Sequence, residues 1–225
     1  MPERGRFVSF EGGDGTGKST QLRRLAARLR SAGRDVVETR EPGGAPGAEE
    51  IRRLLLEGEA GRWSPVSELL LFNAARRDHV ERVILPALAR GAVVLSDRFA
   101  DSTRVYQGLA RESAGPEAPA GTAPLPAASE EMAEAMHALV IGFEPDLTLV
   151  FDLDPAEALT RGEARGGGES RFERLGLAFH EGVRARFRAL AAAHPGRCRL
   201  IDARGGPETV AARVDAALAP LWAAA

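Results

Sequence analysis

Gly12, Gly17, Lys18 and Ser19 stand at the spacing G-x-x-x-x-G-K-[ST], inside the run Phe7-Val-Ser-Phe-Glu-Gly-Gly-Asp-Gly-Thr-Gly-Lys-Ser-Thr20. Glycines so placed let successive backbone N–H groups converge on phosphate oxygens, where a side chain would crowd the anion out. Lys18 would reach the outer phosphates, the Ser19 hydroxyl would hold Mg²⁺, and a helix opening near Gly17 would turn its positive end on the same charge. The stretch Gly12, Gly13, Asp14, Gly15, Thr16, Gly17, Lys18, Ser19 and Thr20 is therefore expected to bind nucleotide phosphates.

Other residues could serve the same chemistry. Asp97-Arg98 ends an apolar run, where a carboxylate can hold the Mg²⁺ water shell and a guanidinium can clamp a phosphate. Ser102, Thr103, Arg104, Tyr106 and Gln107 crowd polar groups onto one short helix. Arg161 and Arg165 precede a triple glycine that ends at Gly168, with Arg171 and Glu173 beyond it, a composition suited to a mobile lid. Phe72 and Arg76 lie at i, i+4, so a base could stack on the ring while the guanidinium reaches its edge; from the residues alone they read as a core Phe and a solvated Arg. Glu41-Pro-Gly-Gly44 reads as a turn.

The elements that must position these groups alternate. Phe7 to Phe10 is a strand, Leu22, Leu25, Ala26 and Leu29 recur at helical spacing, and Asp35 to Arg40 is a second strand, which makes a βαβ unit and a parallel sheet. Helices follow over Ala48 to Leu56 and Pro65 to Arg90, then a third strand over Gly91 to Ser96. Residues 112–128 shift to Ala, Pro and Gly and read as a surface insertion; Ser129 caps a helix running to about Gly142. A strand over Pro145 to Leu153, a helix opened by Asp154-Pro155, a long amphipathic helix from Phe172 to Ala193, a strand over Arg199 to Asp202 and a helix from Pro207 to Trp222 complete the pattern.

At 225 residues with a net charge of −2, the chain suits one α/β domain and carries no basic footprint for nucleic acid. The single Cys198 excludes an internal disulfide and is expected to be a small buried hydrophobe. No apolar segment reads as a signal or a membrane span, so a soluble cytoplasmic protein is expected. Trp63, Trp222 and the 4 histidines have no spacing that suggests a site and read as structural.

Together these features predict a three-layer P-loop fold with a five-stranded parallel sheet flanked by helices, one domain over residues 1–225, and a lid at about 161–172. The assembled pattern resembles the thymidylate kinase family over essentially its full length. The resemblance is carried by Phe10-Glu-Gly-Gly-Asp-Gly-Thr-Gly-Lys-Ser-Thr20, Thr39-Arg-Glu-Pro-Gly-Gly44, Phe72-Asn-Ala-Ala-Arg76, Asp97-Arg98-Phe99, Ser102-Thr103 with Tyr106-Gln107, Pro145-Asp-Leu-Thr148 and Arg171-Phe-Glu173.

What the resemblance implies is transfer of the γ-phosphoryl group of ATP to dTMP, with Mg²⁺ as cofactor and a homodimer packed through helices. It makes Phe72 the ring under thymine, Arg76 the donor to its O4, and Tyr106 the residue that crowds the sugar C2′. Thr103, Gln107 and Ser102 become polar contacts near the base. Arg98 becomes the clamp on the acceptor phosphate, with Arg40 and Pro42 beside it, and Asp14 the carboxylate of the sugar 3′-hydroxyl or the metal shell. Catalysis would fall to Lys18, Arg98, Asp14 and a lid arginine, Arg165 first, with the metal held by Ser19 and Asp97. Gly15 and Thr16 leave the phosphate loop without an arginine, which is similar to the lid-arginine bacterial type. Glu163 stands where lid-type members often carry another Arg. A GTP switch would need Asn-Lys-x-Asp, which is absent from the sequence.

Overall fold

The apolar run that opens the chain becomes the central strand β1, Phe7–Gly12, with all six residues buried. A strand buried on both faces belongs in the middle of a parallel sheet covered by helices. A computed structural model describes residues 4–58, 62–110, 129–163 and 176–223. In it β1 lies between β3, Val93–Asp97, and β4, Leu147–Asp152, with β2, Val36–Arg40, and β5, Cys198–Asp202, at the edges. All four pairings are parallel. Asp97 is in register with Phe10 on one side and Arg40 on the other, so the loops leaving β1, β2 and β3 open along one carboxyl edge.

Side chains alternate between two helical layers. Val8, Phe10, Leu95, Leu149 and Phe151 pack against α1, Lys18–Ser31, and α9, Pro207–Ala223. Phe7, Val94 and Val150 face the other way, toward α4, Leu85–Ala89, α5, Ala100–Ala110, and α8, Leu177–Ala193. Each fully buried Leu or Phe contributes roughly 1.5–3 kcal/mol. The helices α2, Pro46–Leu56, and α3, Pro65–His79, pack on each other beside β2, and α6, Glu130–Val140, lies against α3 and α5. Cys198 is buried among the apolar residues around α8, and burial pushes its thiol up to about 11.

Sequence and structure differ most at the expected single helix from Pro65 to Arg90. It is interrupted by a π-helical turn, Val80–Ile84, in which the Leu85 N–H bonds the Val80 carbonyl. Pro86 is the physical reason: it has no N–H to continue the ladder, and its ring would press on the preceding turn. The remaining expected elements shift by one or two residues at their ends, α2 beginning at Pro46 and β4 spanning Leu147–Asp152, except α8, which is expected from Phe172 and begins at Leu177, residues 172–175 lying outside the described residues. Both expected caps are seen, Ser129 accepting from the Met132 N–H and Asp154 from the Ala156 N–H ahead of α7, Pro155–Glu163. The insertion at 112–128 and all of the lid beyond Glu163 lie outside the described residues.

Candidate active site

The turn from β1 into α1 makes the phosphate loop. Gly15 has φ 79°, and a Cβ there would come within 1.9 Å of the Ala158 carbonyl oxygen on α7. Only glycine fits that approach. The Thr16 hydroxyl donates to the Gly13 carbonyl at 2.8 Å, and Thr20 is half-buried in the first turn of α1. Lys18 is buried, and its Nζ donates to the carbonyls of Gly13 at 2.7 Å and Gly12 at 3.1 Å, with Asp14 at 4.0 Å. Burial, then the Arg98 charge, pushes its ammonium down to about 8, while Asp14, Asp97 and Glu11 pull the other way.

Two further groups come from the end of β3. Ser19 donates its hydroxyl to the Asp97 carboxylate. Arg98 has φ 72°, the one positive φ outside glycine among the described residues. That geometry is held from both sides, by the Arg98 N–H on the Phe10 carbonyl at 3.0 Å and by the Ser96 hydroxyl on the Arg98 carbonyl at 2.7 Å. It sends the guanidinium into the phosphate loop, where Nη2 meets Asp14 Oδ1 at 2.5 Å and Nη1 meets Ser102 Oγ at 2.8 Å. The same guanidinium lies over the Tyr106 ring, 5.2 Å from its centre. Burial opposes the Asp14 charge, but Arg98 and Lys18 more than offset it and hold the carboxyl below its ordinary range. Burial pushes the Tyr106 phenol well above its ordinary range.

Glu11 is a participant that sequence reasoning missed. Its carboxylate is fully buried, accepting from the Phe99 N–H at 2.7 Å, the Ser102 hydroxyl at 2.6 Å and the Ser102 N–H at 3.4 Å. It thereby ties β1 to the first turn of α5 and holds Ser102 under Arg98. Burial and then the Asp101 charge raise its pKa to about 7, against the opposing pull of Arg98 and the bonds from Ser102 and Phe99. The available signal was the one charged residue in the buried central strand.

Arg76 also departs from the reading its sequence position invited. It is buried, not solvated: Nε donates to Glu41 Oε2 at 2.7 Å, and Nη2 to Thr103 Oγ1 at 2.8 Å and the Phe99 carbonyl at 3.3 Å. Burying a guanidinium is tolerable only with such partners. Phe72 is half-buried one turn earlier on α3. His79, one of the histidines read as structural, bonds the same Glu41.

The structure does not bring every candidate to this cluster. Arg40 is exposed and pairs with Glu49 at 3.0 Å, and the Pro42 carbonyl accepts from Arg52 at 2.6 Å. Arg161 sits in the last turn of α7, bonded to Glu157 and the Ala203 carbonyl. Arg165, Arg171, Glu173 and the Gln107 side chain lie outside the described residues.

Comparison with known proteins identifies the family. The family model described as thymidylate kinase matches residues 10–118 and 121–214. This chain belongs to the thymidylate kinase family. A thymidylate kinase of Dinoroseobacter shibae is 56% identical over 218 residues, covering 97% of this chain and 98% of that one. One of Caulobacter vibrioides is 59% identical over 210 residues, 93% of this chain and 94% of that one. The crystal structure of thymidylate kinase from Ehrlichia chaffeensis superposes with a TM-score of 0.70 at 32% identity, covering 96% of this chain and 99% of that one. As a member of the thymidylate kinase family the chain is an enzyme, a nucleotide kinase, and its five-stranded parallel sheet flanked by helices is the fold of its structural neighbour. Among the described residues, no helix is long and apolar enough to cross a membrane.

Proposed function

We propose that the chain moves the γ-phosphoryl group of ATP to dTMP, giving ADP and dTDP for dTTP synthesis, by positioning and charge neutralisation at the carboxyl edge of the sheet. The observation that carries this reading is the cluster in which Lys18, Asp14 and Arg98 meet, a cation on the donor side and a cation on the acceptor side with one carboxylate between them. The acceptor phosphate is already an anion, so the enzyme needs no strong general base; it must bring two like-charged groups into line.

The phosphate loop from Gly12 to Thr20 holds the triphosphate, with Lys18 on its outer phosphates. Backbone near Asp202 to Gly206 receives the adenine. Arg98 clamps the acceptor phosphate, Arg40 and Pro42 flank it, and Asp14 serves the sugar 3′-hydroxyl and orients Arg98. Phe72 stacks beneath thymine, Arg76 donates to its O4, Tyr106 crowds C2′, and Ser102, Thr103 and Gln107 make the remaining polar contacts. Arg161, Arg171 and Glu173 belong to the lid, whose Arg165 meets the charge in transit.

Ser19 and Asp97 are hard oxygen donors already in contact, a set that fits Mg²⁺, which takes one or two protein oxygens and fills its shell with water and phosphate. Bound there, the ion would screen the charge that develops on the transferring group.

Residues 1–225 form one kinase domain in this reading, working in the cytoplasm as a homodimer. Exposed Leu54 on α2, Leu70 on α3 and Leu139 on α6 support helical pairing, which equilibrium sedimentation tests. The transfer itself is tested by steady-state ADP release from Mg·ATP and dTMP. Lys18→Ala and Arg98→Ala should each lower kcat by about 10²–10³-fold, the scale for removing a charge from a preorganised site. Turnover by either variant within about fivefold of wild type would overturn the assigned roles.

A further inference from the structure

Arg76 is clamped. Nε is committed to Glu41, Nη2 to Thr103 and the Phe99 carbonyl, and the guanidinium lies over the Phe99 ring, 5.3 Å from its centre. Among the described residues, Nη1 is the guanidinium nitrogen without a partner.

The clamp has a second layer. Glu41 Oε1 lies 3.0 Å from His79 Nδ1, and His79 Nε2 lies 2.6 Å from Thr39 Oγ1. A carboxylate only accepts, so Nδ1 donates to Glu41 and the Thr39 hydroxyl closes the chain at Nε2. Both Glu41 oxygens are thereby occupied, and the carboxylate cannot turn without breaking a bond. The side chains of His79, Glu41 and Arg76 are 0%, 3% and 3% exposed. Packing around them is tight: a Cβ on Gly44 would come within 2.4 Å of Thr39 Oγ1 and 2.5 Å of His79 Nε2.

A buried ion pair adds little stability over an apolar pair of the same volume, so stability alone does not account for this investment of polar groups. It does fix direction. A guanidinium is donor-only and accepts nothing, so it satisfies a ring carbonyl and repels a ring amine. An arginine free to swing would turn away from the amine and lose discrimination; a clamped one cannot.

We propose that Glu41 and His79 are positioning residues for base recognition, holding Arg76 so that Nη1 meets a 4-carbonyl on the acceptor base and refuses a 4-amino group. This rests on the reading of Arg76 as the base reader given above.

The test uses the full chain with dTMP and 5-methyl-dCMP, which carry a carbonyl and an amine at ring position 4. Specificity is the ratio of the two kcat/KM values. Glu41→Gln and His79→Leu are each expected to lower that ratio about tenfold, through a higher KM for dTMP with kcat and the KM for ATP held. His79→Asn, which keeps a donor facing Glu41, should recover most of it. Ratios within about twofold of wild type in both variants, with only the melting temperature lowered, would show a purely structural role and overturn the proposal. Should His79→Leu not fold, Glu41→Gln decides alone. Arg76→Met separates the two claims: an unchanged ratio there overturns the base-reader assignment and this inference with it. A ratio that collapses in Arg76→Met but holds in Glu41→Gln and His79→Leu overturns the positioning roles alone.

Discussion

Arg98 Nη2 sits 2.5 Å from Asp14 Oδ1, joining the end of β3 to the phosphate loop across 84 residues of chain. Asp14 thus holds the guanidinium of Arg98, the proposed clamp on the acceptor phosphate, in place. Asp14→Asn removes the charge that directs Arg98 and is expected to lower kcat/KM for dTMP about 10²-fold while changing the KM for ATP far less. Separate titrations of the two substrates check this, and equal losses for both would contradict it.

Lys18 carries a pH signature. With its ammonium pushed down to about 8, the free enzyme loses this charge as pH rises past that value. The kcat/KM for ATP, which reports the free enzyme, should fall above about pH 8. The kcat should hold to higher pH, because phosphate oxygens in the complex favour the charged ammonium again. Initial rates across this range at constant ionic strength decide it, and a flat kcat/KM would contradict the account.

Glu11 should be visible in stability. Its pKa is raised from 4.5 to about 7 in the folded chain, so the native state keeps a proton that the unfolded state releases over that window. The stabilisation is fully present below 4.5 and is lost as pH rises through 7, a change of about 3 kcal/mol by linkage. Glu11→Gln lacks this titration, so its unfolding free energy relative to wild type should rise between those pH values in urea melts. Parallel curves would contradict the buried carboxyl.

Tyr106 is held by Arg98 over its ring and by Phe179 and Phe187, with ring centres at 6.0 and 6.3 Å, so it has little room to move aside for a ribose. Tyr106→Leu is expected to narrow the preference for dUMP over UMP about tenfold. An unchanged preference would remove Tyr106 as the sugar reader.

The phosphate loop and the alternation of strands with helices could be read from the chain because both are local: glycines at fixed spacing, and apolar runs of strand or helix period. The end of β3 was equally open, since Asp97-Arg98 follows the apolar run directly. Arg76 was not. Its partners Glu41 and Thr103 lie 35 and 27 residues away, and nothing in the neighbourhood of Phe72 distinguishes a clamped guanidinium from a solvated one. His79 was hidden for the same reason, its role existing only once α3 packs beside β2. Glu11 left one faint trace, a carboxylate among apolar neighbours, whose meaning depends on the N–H groups that α5 brings to it. The π-helical turn at Val80–Ile84 was foreshadowed by Pro86 alone, against an apolar stripe that runs on unbroken.

In the proposed reaction this edge of the sheet joins ATP to a thymine nucleotide. ADP formation from Mg·ATP, with dTMP, dUMP, UMP, dCMP and AMP offered separately, tests it most directly. dTMP is expected to give the highest kcat/KM, with dCMP and AMP poor acceptors; preference for dCMP or AMP, or nucleotide binding without transfer to any acceptor, would overturn this reading.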